Sequence, residues 1–248
     1  MNPTYKSKYG TVYQGDCLEI MPIKKEETYE WLLYKHYAHR IPSITHAFGL
    51  YNQKILIGVC VYGMPPCKMN EGKAVFRNIK VGTFELTRLV VNENLGKNTL
   101  SFFVSHTIKK MPSYCLLVSF ADPNKFHHGY IYQATNWLYT GLTVKGGKDK
   151  QWIWNNREFH AKTITIEWMK KNRFNYDSSL NMTQNWINNG GTVEENIFRK
   201  HRYIYLRGTK KQKKAMLKDL KYKILPYPKG DNKRYDTSYK PVTQGRLF

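Results

Sequence analysis

The run YCLLVSFAD, residues 114–122, constrains the fold more than any other part of the sequence. It is apolar at nearly every position instead of at alternate ones, which is typical of a strand covered on both faces. A helix is expected to follow such a strand, and residues 130–141 show helical spacing of apolar side chains with Gly141 as a C-cap. The apolar face of this predicted helix consists of Ile131, Ala134 and Leu138.

The rest of the chain alternates between strand-like and helix-like segments, which predicts an α/β fold with a mixed sheet flanked by helices. Two β-rich runs at 44–51 and 54–63 are separated by a short polar turn and predict a hairpin. Residues 143–198 have a weaker pattern, and the polar stretch 181–196 is predicted to be a loop. The other predicted elements are strands over 17–23 and 83–92 and helices over 24–37 and from 99 onward.

Length and composition suit one folded domain. With 248 residues and 41% hydrophobic content the chain can bury a sizeable core, assigned to 17–228 and followed by a polar, partly ordered tail over 229–248. No apolar stretch approaches the roughly 20 residues that cross a bilayer, and MNPTYKSKYG is unlike a secretory signal, so a cytoplasmic protein is expected. The four cysteines lack zinc-site spacing and are expected to be thiols in the core.

The charge balance favours a polyanionic partner. Lysine and arginine number 40 against 18 acids, a formal net charge of +22, which favours nucleic acid. Residues 199–223 form a basic C-terminal segment with one acid, Asp219. Phosphate contacts from this segment predict salt-dependent, largely sequence-independent binding, with a solvated face as the alternative. The candidate DNA contacts are Arg199, Lys200, Arg202, Arg207, Lys210, Lys211, Lys213 and Lys214.

Two charged side chains stand out because of the strands that carry them. Arg88, in FELTRLVV, shares the alternation of Leu86 and Val90 and therefore points a cation toward apolar neighbours. Such a cation requires a partner, either an acid of the protein or an anionic ligand. Asp122 ends the buried strand, at the edge where open α/β sheets bind ligands, although Asp-Pro pairs also form ordinary turns.

Seven short blocks carry a resemblance to a known family. They are YKHYAHRIPS, ELTRLVV, NTLSFFVS, SFADP, GYIYQATNWLYTG, KHRYIYLRG and LPYPK, in this order, over roughly residues 18–228. In these blocks the chain resembles the Mom family of phage DNA-modification proteins. The resemblance implies a fold like that of the Gcn5-related N-acetyltransferases. It also implies a transferase that converts adenine N6 in phage DNA to a methylcarbamoyl (in older accounts carbamoylmethyl) form, which protects the DNA from host restriction.

The resemblance further implies an acetyl-coenzyme A donor, an iron requirement and a location in the host cytoplasm. Ordinary acyltransferases of this fold hold the donor pyrophosphate with a Q/R-x-x-G-x-G/A loop at a helix N-terminus. Here the matching stretch, NENLGKNTLS over 92–101, has Gly96 alone, so a plain loop with Asn98 as N-cap is the alternative. The candidate donor-binding residues are Lys97, Asn98, Thr99 and Ser101.

The positions that match the family suggest five catalytic residues. His36 and His39, together with Asp122, could supply two imidazole nitrogens and one carboxylate as ligands for iron. His127 and His128 are adjacent, cannot face one way on a helix, and are interpreted as part of a surface loop. The candidate catalytic residues are Asp122, Tyr132, Arg88, Tyr37 and His36.

The chemistry explains why these side-chain types are expected together. Adenine N6 is a weak nucleophile, so its modification needs an activated electrophile, a proton acceptor and stabilisation of a negative oxygen. Asp122 is the expected acceptor, and Arg88 with a tyrosine is the expected stabilising pair. We expect the base to leave the duplex stack for this reaction. Two other functions stay open: the same fold acting on another nucleobase of DNA or RNA, and a non-catalytic nucleic-acid-binding protein. The oligomeric state is also open, with a homodimer among the arrangements.

Overall fold

The protein is described by a computed structural model that covers residues 3–7, 10–13, 18–65, 72–93, 95–123, 126–143, 149–160, 163–196 and 199–230. The chain divides into two compact units: unit 1 runs up to Gly141 and resumes at His201, and unit 2 is Leu142–Lys200. No helix in the described ranges has the length and apolar character that a membrane span requires. Residues 231–248 of the predicted tail, like Cys17 and Cys67, lie outside these ranges.

The chain contains the following elements over the described residues. Its strands are β1 (Pro3–Ser7), β2 (Gly10–Tyr13), β3 (Leu18–Pro22), β4 (His46–Asn52), β5 (Ile55–Gly63), β6 (Thr83–Val91), β7 (Cys115–Ala121), β8 (Leu138–Leu142), β9 (Asp149–Trp154), β10 (Arg157–His160), β11 (Thr192–Asn196) and β12 (His201–Arg207). Its α-helices are α1 (Thr99–Lys110), α2 (Tyr130–Ala134), α3 (Ile166–Lys171), α4 (Met182–Asn188) and α5 (Lys210–Asp219).

Unit 1 is built on a seven-stranded mixed sheet in the order β3-β4-β5-β6-β7-β12-β8. The pairs β3–β4, β4–β5, β5–β6 and β7–β12 are antiparallel, whereas β6 and β7 are parallel. A separate hairpin of β1 and β2 is also present. The predicted α/β class, a mixed sheet flanked by helices, is confirmed.

Strand β7 is buried on both faces of the sheet. Its alternate residues Cys115 and Leu117 pack in the core that α1 helps to form, whereas Leu116 and Val118 pack in a second core with Met216 of α5. Because both sets are fully buried, alternation cannot leave a polar face, and the run therefore reads as continuously apolar. The buried free thiol of Cys115 belongs to this arrangement, and burial raises its pKa to about 11.

The predicted hairpin over 44–63 is present as β4 and β5. Its turn residues Gln53 and Lys54 both have positive φ, 48° and 66°. This is the geometry of a two-residue turn whose twist matches the flanking strands. The turn therefore forms without the Asn-Gly pair that usually indicates it.

Two predicted helices differ from the structure. The segment 24–37 contains a 3₁₀ turn, Lys25–Thr28, and a π-helical turn, Trp31–Lys35, which bring Trp31 and Leu32 into a buried cluster. The helix predicted over 130–141 ends at Ala134, and β8 follows. The chain reverses at Asn136, with φ of 60°, and this reversal buries Trp137 in the core.

A β-bulge in β6 lies just beyond the end of its pairing with β7. Opposite β5, Tyr62 pairs with Leu86 and Val61 with Arg88, so Thr87 is the extra residue. The parallel pairing of β6 with β7 covers only Thr83, Phe84 and Glu85. Both strands continue beyond this point, which leaves their C-terminal ends without a shared backbone ladder.

Unit 2 has its own sheet and its own core. Strand β9 lies between β10 and β11 in an antiparallel three-stranded sheet. Its core is aromatic and centres on Trp186, whose ring stacks on Phe174 at 5.5 Å. The loop predicted over 181–196 is wrong, because α4 and β11 occupy this stretch. A capping box formed by Asn181 and Gln184 starts α4 and accounts for part of the polarity that suggested a loop.

Gly129 provides a test of the junction between the β7 loop and α2. It has φ of +75°, and a Cβ here would lie 2.4 Å from Cε2 of the buried Tyr203. Gly129→Ala should combine left-handed strain of about 1–2 kcal/mol with overpacking of about 1–3 kcal/mol. The matched control is Gly141→Ala, with φ of +84° but only the exposed Leu225 nearby, at 3.2 Å. Urea denaturation should show the larger loss of unfolding free energy for Gly129→Ala, and equal losses would contradict the packing account.

Candidate active site

Side chains from four separate segments of unit 1 converge near the C-terminal ends of β6 and β7. Arg88 lies close enough to His36, Tyr37 and Tyr132 for electrostatic effects on pKa to couple them. Asp122, the residue after β7, acts in the same way on Tyr37. The structure therefore brings all five candidate catalytic residues into one neighbourhood.

Arg88 is largely buried, and its guanidinium is only partly satisfied. Its Nη1 donates to the carbonyl of Thr87 at 2.7 Å, while its buried Nε–H has no hydrogen-bond partner among the described residues. Burial lowers the pKa of Arg88, and nearby Tyr37 opposes that effect. An unpaired buried N–H of this kind costs roughly 1–3 kcal/mol, so the arrangement suits an acceptor that a ligand supplies.

The predicted alternation around Arg88 is wrong in one respect. Leu86 packs in the core beneath α1, whereas Val90 packs on the opposite face of the sheet. The bulge at Thr87 inserts one residue and reverses the alternation between them. Arg88 instead lies opposite Val61, a member of the core that contains Val90.

Ser119 links Tyr132 to β6 where the backbone ladder has ended. Its Oγ lies 2.8 Å from the carbonyl oxygen of Leu86 and 2.6 Å from the Tyr132 hydroxyl. The Ser119 hydroxyl is the donor in both bonds, so its single proton is shared between the two oxygens. Burial raises the pKa of Tyr132 well above its ordinary value, although the bond donated by Ser119 opposes this. The phenol is therefore protonated at neutral pH.

His36 is a buried, neutral imidazole. Its Nδ1 accepts a hydrogen bond from the backbone N–H of Ala38 at 3.0 Å, which places the ring proton on Nε2. Desolvation lowers its pKa to about 3, and the charge of Arg88 adds to this effect. The ring stacks on Tyr37 with centroids 4.3 Å apart. His36 thus lies beside Arg88 without contributing a second positive charge.

Tyr37 and His127 complete this neighbourhood. Tyr37 keeps 42% of its surface exposed, and its ring lies 5.7 Å from that of His127. Desolvation raises the pKa of the Tyr37 phenol, while Arg88 lowers it and Asp122 raises it. His127 also lies in the field of Asp122, which opposes the lowering of its pKa by burial.

The iron site finds no support in the structure. His39 directs Nδ1 to the carbonyl of Leu33 at 2.8 Å, and Nδ1 of His36 is occupied by the Ala38 N–H. Within the part of the chain that the structure describes, no three His, Cys, Asp or Glu side chains form a group that could hold a metal ion.

The candidate donor site lies at the N-terminus of α1. Asn98 is the N-cap residue with φ of 68°, and no side chain caps the helix. The hydroxyl of Thr99 donates to the Gly96 carbonyl at 2.8 Å, and that of Ser101 donates to the Asn98 carbonyl at 2.9 Å. The hydroxyls are therefore used within the loop, while Lys97 is exposed. Backbone N–H groups and the helix dipole are the features at this end that favour an anion.

The lysines of the basic segment are displayed by α5. Thr209 and Gln212 form a capping box at its start, and Met216 anchors the helix in the core. The one acid of the segment, Asp219, accepts bonds from the backbone N–H groups of Asn78 and Ile79, which lower its pKa. It is thereby directed toward the protein. Lys210, Lys211 and Lys214 are exposed, and the ammonium of Lys213, which is half-buried, lies 5.8 Å from the Tyr205 ring centroid.

The arginines of the segment have structural contacts. Arg202 is buried: its Nε donates to Thr140 Oγ1 at 2.8 Å and its guanidinium lies over the Tyr222 ring, so it cannot contact DNA as predicted. Arg207 donates to the carbonyl of Lys109 in the last turn of α1 and to the carbonyl of Met111 directly after the helix. In unit 2, Arg199 donates to the carbonyl of Thr143 at 2.9 Å, and Lys200 is exposed.

Sequence reasoning missed Ser119 and His127 as members of this neighbourhood. Ser119 carries a usable signal, because a polar residue in the middle of YCLLVSFAD must find a hydrogen-bond partner when the strand is buried. His127 carries none, since a histidine beside another histidine in a loop is ordinary. The two rings in fact face different neighbours, His127 toward Tyr37 and His128 toward His201.

Comparison with known proteins connects this geometry to a family. The sequence profile of the Mom protein family matches residues 17–229. The chain is also 24% identical, over 209 residues, to a protein of Escherichia phage Mu named methylcarbamoylase mom, covering 79% of this chain and 77% of that protein.

Solved acetyltransferases also resemble the chain. A structure of a putative acetyltransferase from Acinetobacter baylyi ADP1 is 9% identical with a TM-score of 0.42, covering 79% of this chain and 94% of that one. An IAA acetyltransferase from Bacillus cereus ATCC 14579 is 12% identical with a TM-score of 0.39, covering 76% and 99%.

The low pKa of His36 predicts a specific acid sensitivity. In the unfolded chain this histidine binds a proton near pH 6.5, whereas in the folded protein it does so only near pH 3. Stability is therefore complete above about pH 6.5 and falls by about 1.4 kcal/mol per pH unit below it, or about 2 kcal/mol at pH 5. His36→Asn keeps an acceptor for the Ala38 N–H and removes this titration.

The measurement is the unfolding free energy of both proteins at pH 7.5 and pH 5.0. The difference between them should shift by about 2 kcal/mol in favour of His36→Asn at the lower pH. Parallel pH dependences would show that His36 does not titrate as a buried neutral group.

Proposed function

The chain belongs to the Mom protein family, and from this premise we propose that it is a transferase that modifies adenine N6 in DNA to the methylcarbamoyl form. The proposal agrees with the name of the phage Mu relative, methylcarbamoylase. The observation that carries it is the buried Nε–H of Arg88, which has no hydrogen-bond partner in the described part of the chain and lies beside Tyr37, Tyr132 and His36. Protection of phage DNA from host restriction is the proposed role of the product.

Arg88 is the proposed stabiliser of negative charge. Attack on a carbonyl moves charge onto its oxygen, and a donor that is already in place stabilises this charge without reorganisation. The Nε–H of Arg88 is such a donor, and in a poorly hydrated environment its charge acts strongly. Neutral His36 next to it avoids repulsion between two cations.

Asp122 is the proposed proton acceptor. N6 becomes a better nucleophile as it loses a proton, so the acceptor must lie within hydrogen-bond reach of the base. Asp122 lies directly after β7, and its field acts on Tyr37 and His127. The carboxylate is therefore part of the same group of side chains as Arg88.

The proposed role of Tyr132 is positioning. Its hydroxyl oxygen accepts a hydrogen bond from Ser119, and its ring packs against Trp137 and Tyr203 at 5.2 and 5.1 Å. Held in this way, Tyr132 ties α2 to the end of the β6–β7 pairing and places its ring beside Arg88.

The donor is proposed to bind at the N-terminus of α1. Acetyl-coenzyme A, which the family resemblance implies, would supply an activated carbonyl and release its thiol, but transfer of its acetyl group alone would give N6-acetyladenine. The methylamino nitrogen of the methylcarbamoyl form would therefore have to come from a further nitrogen-containing reactant. The helix provides backbone N–H groups and a favourable dipole for phosphate, and Lys97 adds positive charge. Thr99 and Ser101 shape the loop through their bonds to backbone carbonyls.

Activity is tested by expressing the protein in a bacterium and analysing its DNA by nucleoside mass spectrometry. We expect an adenosine of increased mass with the wild type. Arg88→Ala and Asp122→Asn should each lower its amount at least about 100-fold, because each removes a group that acts on the reacting atoms. Glu194→Gln, an exposed acid of unit 2, is the matched control and should leave the amount unchanged.

The outcomes separate the remaining functions. A modified pyrimidine, or a modified base in RNA alone, would assign the same fold to another acceptor. Unmodified nucleic acid from cells that contain the folded wild-type protein would reject the proposed reaction.

The lysines of α5 are proposed to bind duplex phosphates, and their contribution should depend on salt. Replacing Lys210, Lys211 and Lys214 with Gln should weaken DNA binding and reduce the slope of log affinity against log salt by up to about three, at roughly 0.9 per phosphate contact. Lys24, Lys25 and Lys80, also exposed in unit 1, form a control triple that removes the same charge. Fluorescence anisotropy at several salt concentrations measures both, and equal effects of the two triples would argue against a specific α5 surface.

A further inference from the structure

Phe126 is an exposed apolar side chain next to His127, whose ring lies beside Tyr37 of the candidate active site. It lies in the loop between β7 and α2, four residues after Asp122, and 55% of its surface is exposed. Its backbone is left-handed, with φ of 54°. This conformation disfavours bulky L-residues, and Gly or Asn would relieve it. The chain thus combines backbone strain with exposure of a large aromatic ring, which is an arrangement more typical of functional sites than of simple turns.

Two backbone hydrogen bonds join the described residues on either side of positions 124 and 125. The N–H of Phe126 donates to the carbonyl of Pro123, and the N–H of His127 donates to the carbonyl of Asp122, both at 3.0 Å. His127 is half-buried and packs toward Tyr37. One residue of the turn therefore faces the candidate site, while its neighbour presents a phenyl ring to solvent.

A modified base must leave the helix before it can be enclosed by the site, and its departure leaves a gap between the adjacent base pairs. Proteins that distort duplex DNA fill such a space with apolar side chains, among them phenylalanine. A phenyl ring has no polar group that would lose hydrogen bonds inside the stack. The exposed Tyr130 is less suitable, because its hydroxyl donates to the carbonyl of Gly230.

We propose that Phe126 inserts into the DNA duplex and occupies the space that the target adenine vacates, while Asp122, on the same short loop, meets the extruded base. The inference rests on the proposed function, since it assumes a nucleobase in duplex DNA as substrate. It adds a residue that acts on the DNA stack and not on the reacting atoms. The short tether between Asp122 and Phe126 couples extrusion of the base to its placement.

The test uses purified full-length protein and a set of duplexes in which 2-aminopurine, whose fluorescence rises on unstacking, replaces one adenine in each combination of flanking bases. Wild-type protein should increase the fluorescence of a fully paired duplex from this set. Phe126→Ala should reduce this increase at least tenfold, and Phe126→Leu should restore much of it. A second duplex has an abasic site opposite 2-aminopurine, where no wedge is needed, and here Phe126→Ala should match the wild type within about twofold. Ile55→Ala, another exposed apolar side chain of unit 1, is the control and should behave as the wild type with both duplexes.

An unchanged signal for Phe126→Ala with the paired duplex would overturn the proposal. An equal loss with both duplexes would also overturn it, because it would indicate an ordinary contact or a disturbed loop. The fluorescence assay requires no chemical step. Absence of modified adenosine in cells would therefore reject the proposed reaction, whereas the fluorescence results judge the wedge separately.

Discussion

The parallel pairing of β6 with β7 ends at Glu85, while both strands continue, and the candidate site depends on this interruption. A continued ladder would satisfy the backbone groups of both strands with each other. Instead, the Ser119 hydroxyl donates to the Leu86 carbonyl and to the Tyr132 hydroxyl, so one side chain replaces part of the ladder and attaches α2 to it. The bulge at Thr87 changes which face Arg88 occupies at the same level of the sheet. The interruption therefore sets the positions of Arg88 and Tyr132 together.

The electrostatic environment of Arg88 favours catalysis and costs folding stability. Burying a guanidinium whose Nε–H finds no partner among the residues that the structure describes costs free energy, and an apolar side chain of similar size would avoid that cost. The desolvated neutral His36 and the protonated Tyr132 keep further charge away from the cation. A ligand oxygen that gains negative charge would find a donor already desolvated and oriented, which is the condition for strong transition-state stabilisation.

The sequence allowed the class of fold to be predicted, because strong hydrophobic signals such as the continuous run YCLLVSFAD and the 44–63 hairpin depend on burial alone. It did not predict where strand alternation or helical spacing of the side chains is interrupted. The bulge at Thr87 reversed the expected face of Arg88, and the reversal at Asn136 shortened the helix that had seemed to reach Gly141. The polar composition of 181–196 concealed α4, whose Asn181 and Gln184 serve as caps and whose Trp186 is fully buried. At Trp137 and Trp186, tertiary packing of one side chain outweighed the local pattern.

The candidate site residues were predicted mainly from matching blocks, and their contacts follow only from tertiary structure. The distinction between Lys214 and Arg202 illustrates the difference, since both look alike in a basic segment. Arg202 lies on β12 and is buried because its guanidinium bonds to Thr140 of β8 and packs over the ring of Tyr222. The exposed lysines of α5 can contact DNA phosphates, and phosphate contacts carry no sequence information. If α5 supplies the affinity for DNA, then the choice of base must come from the loop and strand ends around Asp122 and Arg88, where an extruded base is met by fixed donors and acceptors.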